Sequence, residues 1–137
     1  MPETSHVIKE NCTAIVVDDD ADTVDLFVEF LQIYGIKIVG TAFDGKEAVN
    51  LYKNTQPDIV FSDVMMPEYD GVYALEKIKQ INPRAIMIMV TGDLRQETFE
   101  QLEKLHADSV VHKPFDMYQV METVNSILAK SAILQAN

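Results

Sequence analysis

Five short runs of apolar, largely β-branched residues lie at positions 13–17, 36–41, 59–62, 85–91 and 109–112, and the stretches between them carry a different period. Most of the runs are continuous rather than alternating, as expected of strands buried on both faces of a parallel sheet. The intervening stretches, 21–34, 45–54, 71–81, 96–106 and 117–130, place apolar residues every three or four positions, for example Val24, Phe27, Leu31 and Tyr34 in the first. That spacing predicts helices with one buried stripe. Asp20 and Asp70 stand where short carboxylates cap the first and third helices. Gly35 stands where the first should stop, and Pro57 and Pro83 sit just outside elements, where a missing amide costs little. Strand and helix alternate five times with short connections, and right-handed crossovers then give an α/β fold with a five-stranded, doubly wound parallel sheet. The expected organisation is one domain over 13–130, with an N-terminal tail at 1–12 and a C-terminal tail at 131–137.

Charge and composition exclude several classes of function. Eleven basic and 22 acidic residues leave a formal charge of −11, which repels nucleic acid and anionic membrane, so no direct nucleic-acid partner is expected. No stretch approaches the ~20 apolar residues of a membrane helix, and the start of the chain is not a signal peptide. The single cysteine, Cys12, cannot form an internal disulfide, and the expected location is the reducing cytoplasm. The three histidines show no metal-ligand spacing and read as structural residues, and Met65, Met66, Met87, Met89, Met117 and Met121 read as core filling rather than a redox site.

In an open parallel sheet, ligands bind beyond the carboxyl ends of the strands. The first run ends in Asp18-Asp19-Asp20, the third in Asp63, the fourth in Thr91-Gly92 and the fifth in Lys113-Pro114. Carboxylates, a hydroxyl and an ammonium therefore converge on one rim. Carboxylates packed together repel, by about 4 kcal/mol per pair at ~4 Å and an effective dielectric near 20. A hard divalent cation such as Mg²⁺ removes that cost, since it is satisfied by one or two carboxylates, waters and a phosphate. Asp63, isolated among apolar residues, is a candidate nucleophile able to carry a phosphoryl group. Mg²⁺, Lys113 and Thr91 would then stabilise the transferred oxygens.

These residues fall into motifs that resemble the receiver domains of two-component response regulators. They are Val16-Val17-Asp18-Asp19-Asp20, Pro57-Asp58-Ile59-Val60-Phe61-Ser62-Asp63-Val64-Met65-Met66-Pro67, Asp70-Gly71, Met89-Val90-Thr91-Gly92 and His112-Lys113-Pro114-Phe115, and the resemblance extends over about 13–128. It implies a flavodoxin-like (βα)5 fold and a phosphorelay switch rather than an enzyme in its own right. It further implies Asp63 as phosphoacceptor and Mg²⁺ held by Asp18, Asp19, Asp63 and the backbone carbonyl of Met65. Thr91 and Lys113 would bind the phosphoryl group. Lys113-Pro114 would be a cis peptide, and Met65 and Asp93 would lie where the family tunes phosphoryl lifetime.

The resemblance also implies a histidine kinase or phosphotransfer protein as donor, a downstream protein target, and a monomer or weak dimer. Partner docking is expected on the first helix, at Val24, Phe27 and Val28 with Leu31, because these exceed what one core stripe requires. The chain departs from the family pattern at Val110, where an aromatic often stands, and at His106, where glycine commonly ends the fourth helix in a left-handed conformation. Single-domain members of the family act by binding partners.

Other readings of the same residues are weaker. Asp18, Asp20, Asp22 and Glu29 fit EF-hand spacing, but Thr23 stands where that loop needs glycine. Asp20-Ala21-Asp22-Thr23-Val24 fits the haloacid-dehalogenase signature, but begins three residues past the strand end. A flavin binder would need a phosphate-accepting first loop, which three aspartates oppose. The functional alternative is an unphosphorylated pseudo-receiver that serves only as a docking module.

Overall fold

The structure, a computed structural model, describes residues 6–136. Its elements run β1 (Thr13–Val17), α1 (Ala21–Ile33), β2 (Lys37–Ala42), α2 (Gly45–Thr55), β3 (Ile59–Asp63), α3 (Gly71–Ile81), β4 (Ile86–Thr91), α4 (Gln96–Lys104), β5 (Ser109–His112) and α5 (Met117–Ala136). The strands form one parallel sheet in the order β2-β1-β3-β4-β5. The fold is the flavodoxin-like, doubly wound α/β architecture expected of the pattern.

Side-chain alternation along the strands explains why the apolar runs are continuous. Ala14 and Val16 of β1 join Phe61, Ile88 and Val111 in a core against α1 and α5, closed by Val24, Phe27, Leu31, Val120, Met121 and Val124. Ile15 and Val17 point the other way, into a core with Val60, Met87 and Met89, closed by α2, α3 and α4 through Ala48, Val49, Ala74, Leu75, Ile78 and Leu102. Each strand thus needs apolar residues at both parities. Phe27 packs edge-on against Phe61 and Phe115, with centroids 5.2 and 5.1 Å apart.

The caps lie where the sequence puts them. Asp20 accepts from the Thr23 amide and Asp70 from the Tyr73 amide. Asp44 caps α2 in the same way through Glu47. His106 takes a left-handed φ of 66° after α4, as Gly35 does at 94° after α1. Lys113-Pro114 is cis.

Three expectations change. α5 continues past Lys130 to Ala136, so the segment expected as a C-terminal tail is helical through Ala136; the sequence beyond Leu128 holds good helix formers and no breaker. Part of the expected N-terminal tail is tied down: the Val7 amide donates to Tyr34 O, the Ile8 amide to Asn125 Oδ1, and Cys12 is buried. The outer parts of both expected tails, 1–5 and 137, lie outside the described residues. The third change concerns α1. Val24, Phe27 and Leu31 are core residues, 2%, 4% and 0% exposed, and Val28 is half-buried against the same core, so they do not form an outward patch. The sheet takes a wider stripe of the helix than one heptad seam would. The large apolar residues α1 does expose are Leu26, Phe30 and Ile33.

Candidate functional site

Parallel strands that all end on one edge bring distant residues together there. β1 stops at Val17, and the chain turns outward with the Asp18 amide donating to Ala42 O at the end of β2. Asp18 is 5% exposed, and its Oδ1 accepts from the Asp20 amide at 2.9 Å. That bond fixes the turn and leaves Asp18 Oδ2 for the site. Asp19 is exposed at the rim. Asp63 closes β3, 8% exposed, with Oδ1 held by the Val64 amide at 2.9 Å.

One carboxylate oxygen from each of Asp18, Asp19 and Asp63 lies within 4.8 Å of the others. Lys113, carried in after β5, reaches Asp18 Oδ2 at 3.1 Å and Asp63 Oδ2 at 3.6 Å. Its backbone amide donates to Thr91 O at 2.9 Å. Three negative groups thus face one positive group. Burial raises the Asp63 carboxyl above its ordinary value, and the Asp18 and Asp19 charges act the same way against the pull of Lys113. On Lys113 burial acts to lower the ammonium, but Asp63 and Asp18 outweigh it and hold it above the usual lysine value. Unbalanced, hard oxygen donors at this spacing suit a divalent cation. Asp20, by contrast, spends its carboxylate on the Thr23 amide and hydroxyl, which hold it below the ordinary carboxyl value; it is a cap and stands apart from the acidic trio.

Thr91 ends β4 fully buried, one residue past Val90, the register partner of Asp63. Its Oγ1 accepts from the Asp93 amide at 2.9 Å. Met65 lies in the loop after β3 and is 57% exposed. Val110 is half-buried against the α2–α4 core and offers no ring. The aromatic contact between α4 and β5 is instead Phe99 with His112, centroids 5.0 Å apart. The α1 residues Val24 and Phe27 lie below the rim in the core, as described above.

Gly71 opens α3 directly beneath Asp63. Its amide donates to Val64 O at 2.9 Å, and a Cβ there would collide with Asp63 O and Val64 Cα. The glycine lets the helix start pack against the turn that aims Asp63. A cavity of about 870 Å³ lies elsewhere, lined by Ile8, Tyr52, Asp58, Arg84 and Leu128 and holding none of the rim carboxylates. A shallow rim is the better setting for a cation that keeps several of its waters. Sequence reasoning missed the Asp93 network. The Asp93 carboxylate binds Arg95 and Thr98 (Oγ1 to Oδ2, 2.7 Å), with Arg95 as the main cause holding it well below the usual carboxyl value. The only signal was an acid just before a helix lacking a capping residue.

The response regulator receiver domain family matches residues 14–125 of this chain. The chemotaxis protein CheY of Bacillus subtilis is 35% identical over 114 residues, covering 83% of this chain and 95% of that protein. The Thermotoga maritima CheY is 33% identical over 113 residues, covering 82% and 94%. A chain of the CheX–CheY–BeF3–Mg²⁺ complex from Borrelia burgdorferi is similar in structure with a TM-score of 0.85 and 28% identity, over 93% of this chain and 98% of that one. The chain belongs to the response regulator receiver domains, and the relatives it matches include several CheY proteins.

Proposed function

We propose that this chain is a phosphorylation-dependent switch in a two-component phosphorelay, taking a phosphoryl group on Asp63. The observation that carries the reading is the grouping of Asp18, Asp19 and Asp63 within 4.8 Å, with Lys113 against two of them. Mg²⁺ would be held by Asp18, Asp19 and Asp63, with the carbonyl of Met65 as the further protein ligand. When bound, it neutralises the carboxylates and the oxygens in transfer. The match to a chain solved with BeF3 and Mg²⁺ supports that assignment.

Asp63 supplies the attacking oxygen. The phosphorus–nitrogen bond of a phosphohistidine donor breaks as the phosphorus–oxygen bond to Asp63 forms, and the imidazole leaves as the nitrogen base. Lys113 moves its ion pairs from the carboxylates to the transferred oxygens. The Thr91 hydroxyl accepts from the Asp93 amide and keeps its own hydrogen, which it donates to the phosphoryl group. The added ~1.5–2 negative charges bias the β4–α4 loop and the face of α4, β5 and α5 toward a second population.

The donor is a histidine kinase or phosphotransfer protein, and the signal passes by contact with a downstream protein. We assign the chain to the cytoplasm; among the described residues no helix is long and apolar enough to cross a membrane. It acts as a monomer or weak dimer, and as a phosphoacceptor rather than an enzyme on other substrates. Incubation with a small phosphodonor and Mg²⁺, followed by intact mass, tests the reading. One added phosphoryl group on wild type and none on Asp63→Asn is expected. No gain on wild type would leave a docking module without phosphorylation, and an equal gain on Asp63→Asn would move the site elsewhere.

A further inference from the structure

We propose that Asp93 is a positioning residue that links Thr91 to the first turn of α4, its amide serving the threonine and its carboxylate the helix. The inference rests on the phosphoswitch reading above. α4 begins without a cap of its own: Arg95 occupies the N-cap and makes no side-chain capping bond. Asp93, two residues earlier, takes over that work. Its Oδ1 accepts from the Arg95 amide at 2.9 Å, and its Oδ2 accepts from Thr98 Oγ1 at 2.7 Å and from the Arg95 guanidinium at 2.7 Å. Thr98 is 8% exposed and lies within the first turn, so this end of the network is fixed to the helix. The other end is fixed to the site, because the Asp93 amide donates to Thr91 Oγ1 at 2.9 Å.

One residue therefore carries both ends of a short polar chain from a buried hydroxyl to a helix start. Displacing Thr91 Oγ1 toward a phosphoryl group displaces the amide bonded to it. The carboxylate of the same residue must then drag Thr98 and Arg95 or lose charge-assisted bonds, which are the stronger class. The Phe99–His112 ring pair extends the same helix to β5. The segment thus has a physical means of reporting the state of Thr91 at the α4–β5 surface.

The test compares wild type, Thr98→Val and Thr98→Ser by amide chemical shifts with and without beryllofluoride and Mg²⁺, alongside phosphoryl uptake from a small phosphodonor. Thr98→Val is nearly isosteric and touches no group of the phosphoryl site. Its uptake should stay within about twofold of wild type, with the mimic-induced shifts at Asp63 and Thr91 retained, while those from Glu97 to Leu102 fall at least about twofold. Thr98→Ser should restore them. A merely structural role would lower the melting temperature without changing the mimic-induced shifts. Wild-type-like shifts in α4 of Thr98→Val, or no recovery in Thr98→Ser, overturn the proposal and leave the phosphoswitch reading standing. A wild type that takes up neither mimic nor phosphoryl group removes that reading and this one with it.

Discussion

Lys113 Nζ stands 3.6 Å from Asp63 Oδ2, so the end of β5 delivers a cation to the carboxylate that closes β3. The same ammonium serves Asp18 at 3.1 Å. It is the one cation that contacts the acidic trio among the described residues, and it leaves the trio under-neutralised.

Removing that cation should therefore be felt most when no metal is bound. Lys113→Met should cost about 1–3 kcal/mol in metal-free urea unfolding, because the Asp18 and Asp63 carboxylates lose their partner. Mg²⁺ at ten times its Kd adds ~1.4 kcal/mol to any state that binds it selectively. Wild type should gain about that amount, Lys113→Met at least as much, and Asp19→Asn far less. Equal gains in wild type and Asp19→Asn would mean that the metal sits elsewhere.

The glycine under Asp63 gives a sharper structural prediction. In Gly71→Ala the new methyl meets backbone at Asp63 and Val64, which cannot swing away as a side chain can. Overpacking of this kind costs about 1–3 kcal/mol, and the shift it forces falls on Asp63, so phosphoryl uptake should drop as well. Gly92→Ala is the control: nothing lies within 4 Å of its Cβ, and its φ is not positive. It should be neutral or stabilising by up to ~1 kcal/mol, through the unfolded chain. Similar losses in both variants would remove the steric account of Gly71.

The fold was legible because its signals are local. Five runs with apolar residues at both parities force a sheet covered on two faces, and Asp20 and Asp70 mark helix starts by chemistry that acts within three residues. The rim was legible for a related reason. Once the sheet is parallel, whatever follows Val17, Ser62, Val90 and His112 must meet at one edge. What the sequence concealed depends on three-dimensional burial. Val24, Phe27 and Leu31 look surplus on one helix, but two layers of neighbours, including Phe61 and Phe115, consume them. The Asp93 network was hidden because its partners, Arg95 and Thr98, carry no periodic signal.

Cys12 sets an alkaline limit on stability. Burial, with the nearby Asp58 charge adding to it, pushes its thiol up from 9.0 to about 11. A folded pKa above the unfolded one means that the contribution is intact below pH 9 and is lost as pH rises toward 11. The full displacement is worth ~2.7 kcal/mol at most. Wild type should thus exceed Cys12→Ala in stability at pH 8, where only the lost packing counts. The difference should shrink by about 2 kcal/mol by pH 11. Denaturant unfolding of both proteins across that range checks it, and a pH-independent difference would show that burial does not shift the thiol, which then titrates alike in both states.

The two faces of α1 should separate folding from donor recognition. Phe27 fills the space between Phe61 and Phe115, so Phe27→Ala should cost about 3–5 kcal/mol. Leu26, Phe30 and Ile33 recur at helical spacing on the solvent side, 55%, 36% and 65% exposed. Phe30 lies outside both core clusters, so a charge there, as in Phe30→Lys, should cost far less stability than Phe27→Ala. If this stripe is where the phosphohistidine donor docks, Phe30→Lys should slow transfer from the protein donor by about tenfold, the effect of losing ~1.4 kcal/mol of binding. Transfer from a small phosphodonor needs no docking and should be unchanged. That contrast isolates recognition from chemistry. Equal rates from the protein donor in wild type and Phe30→Lys would place docking on another face, and a matching loss with the small donor would point to damage at Asp63 rather than to a lost contact.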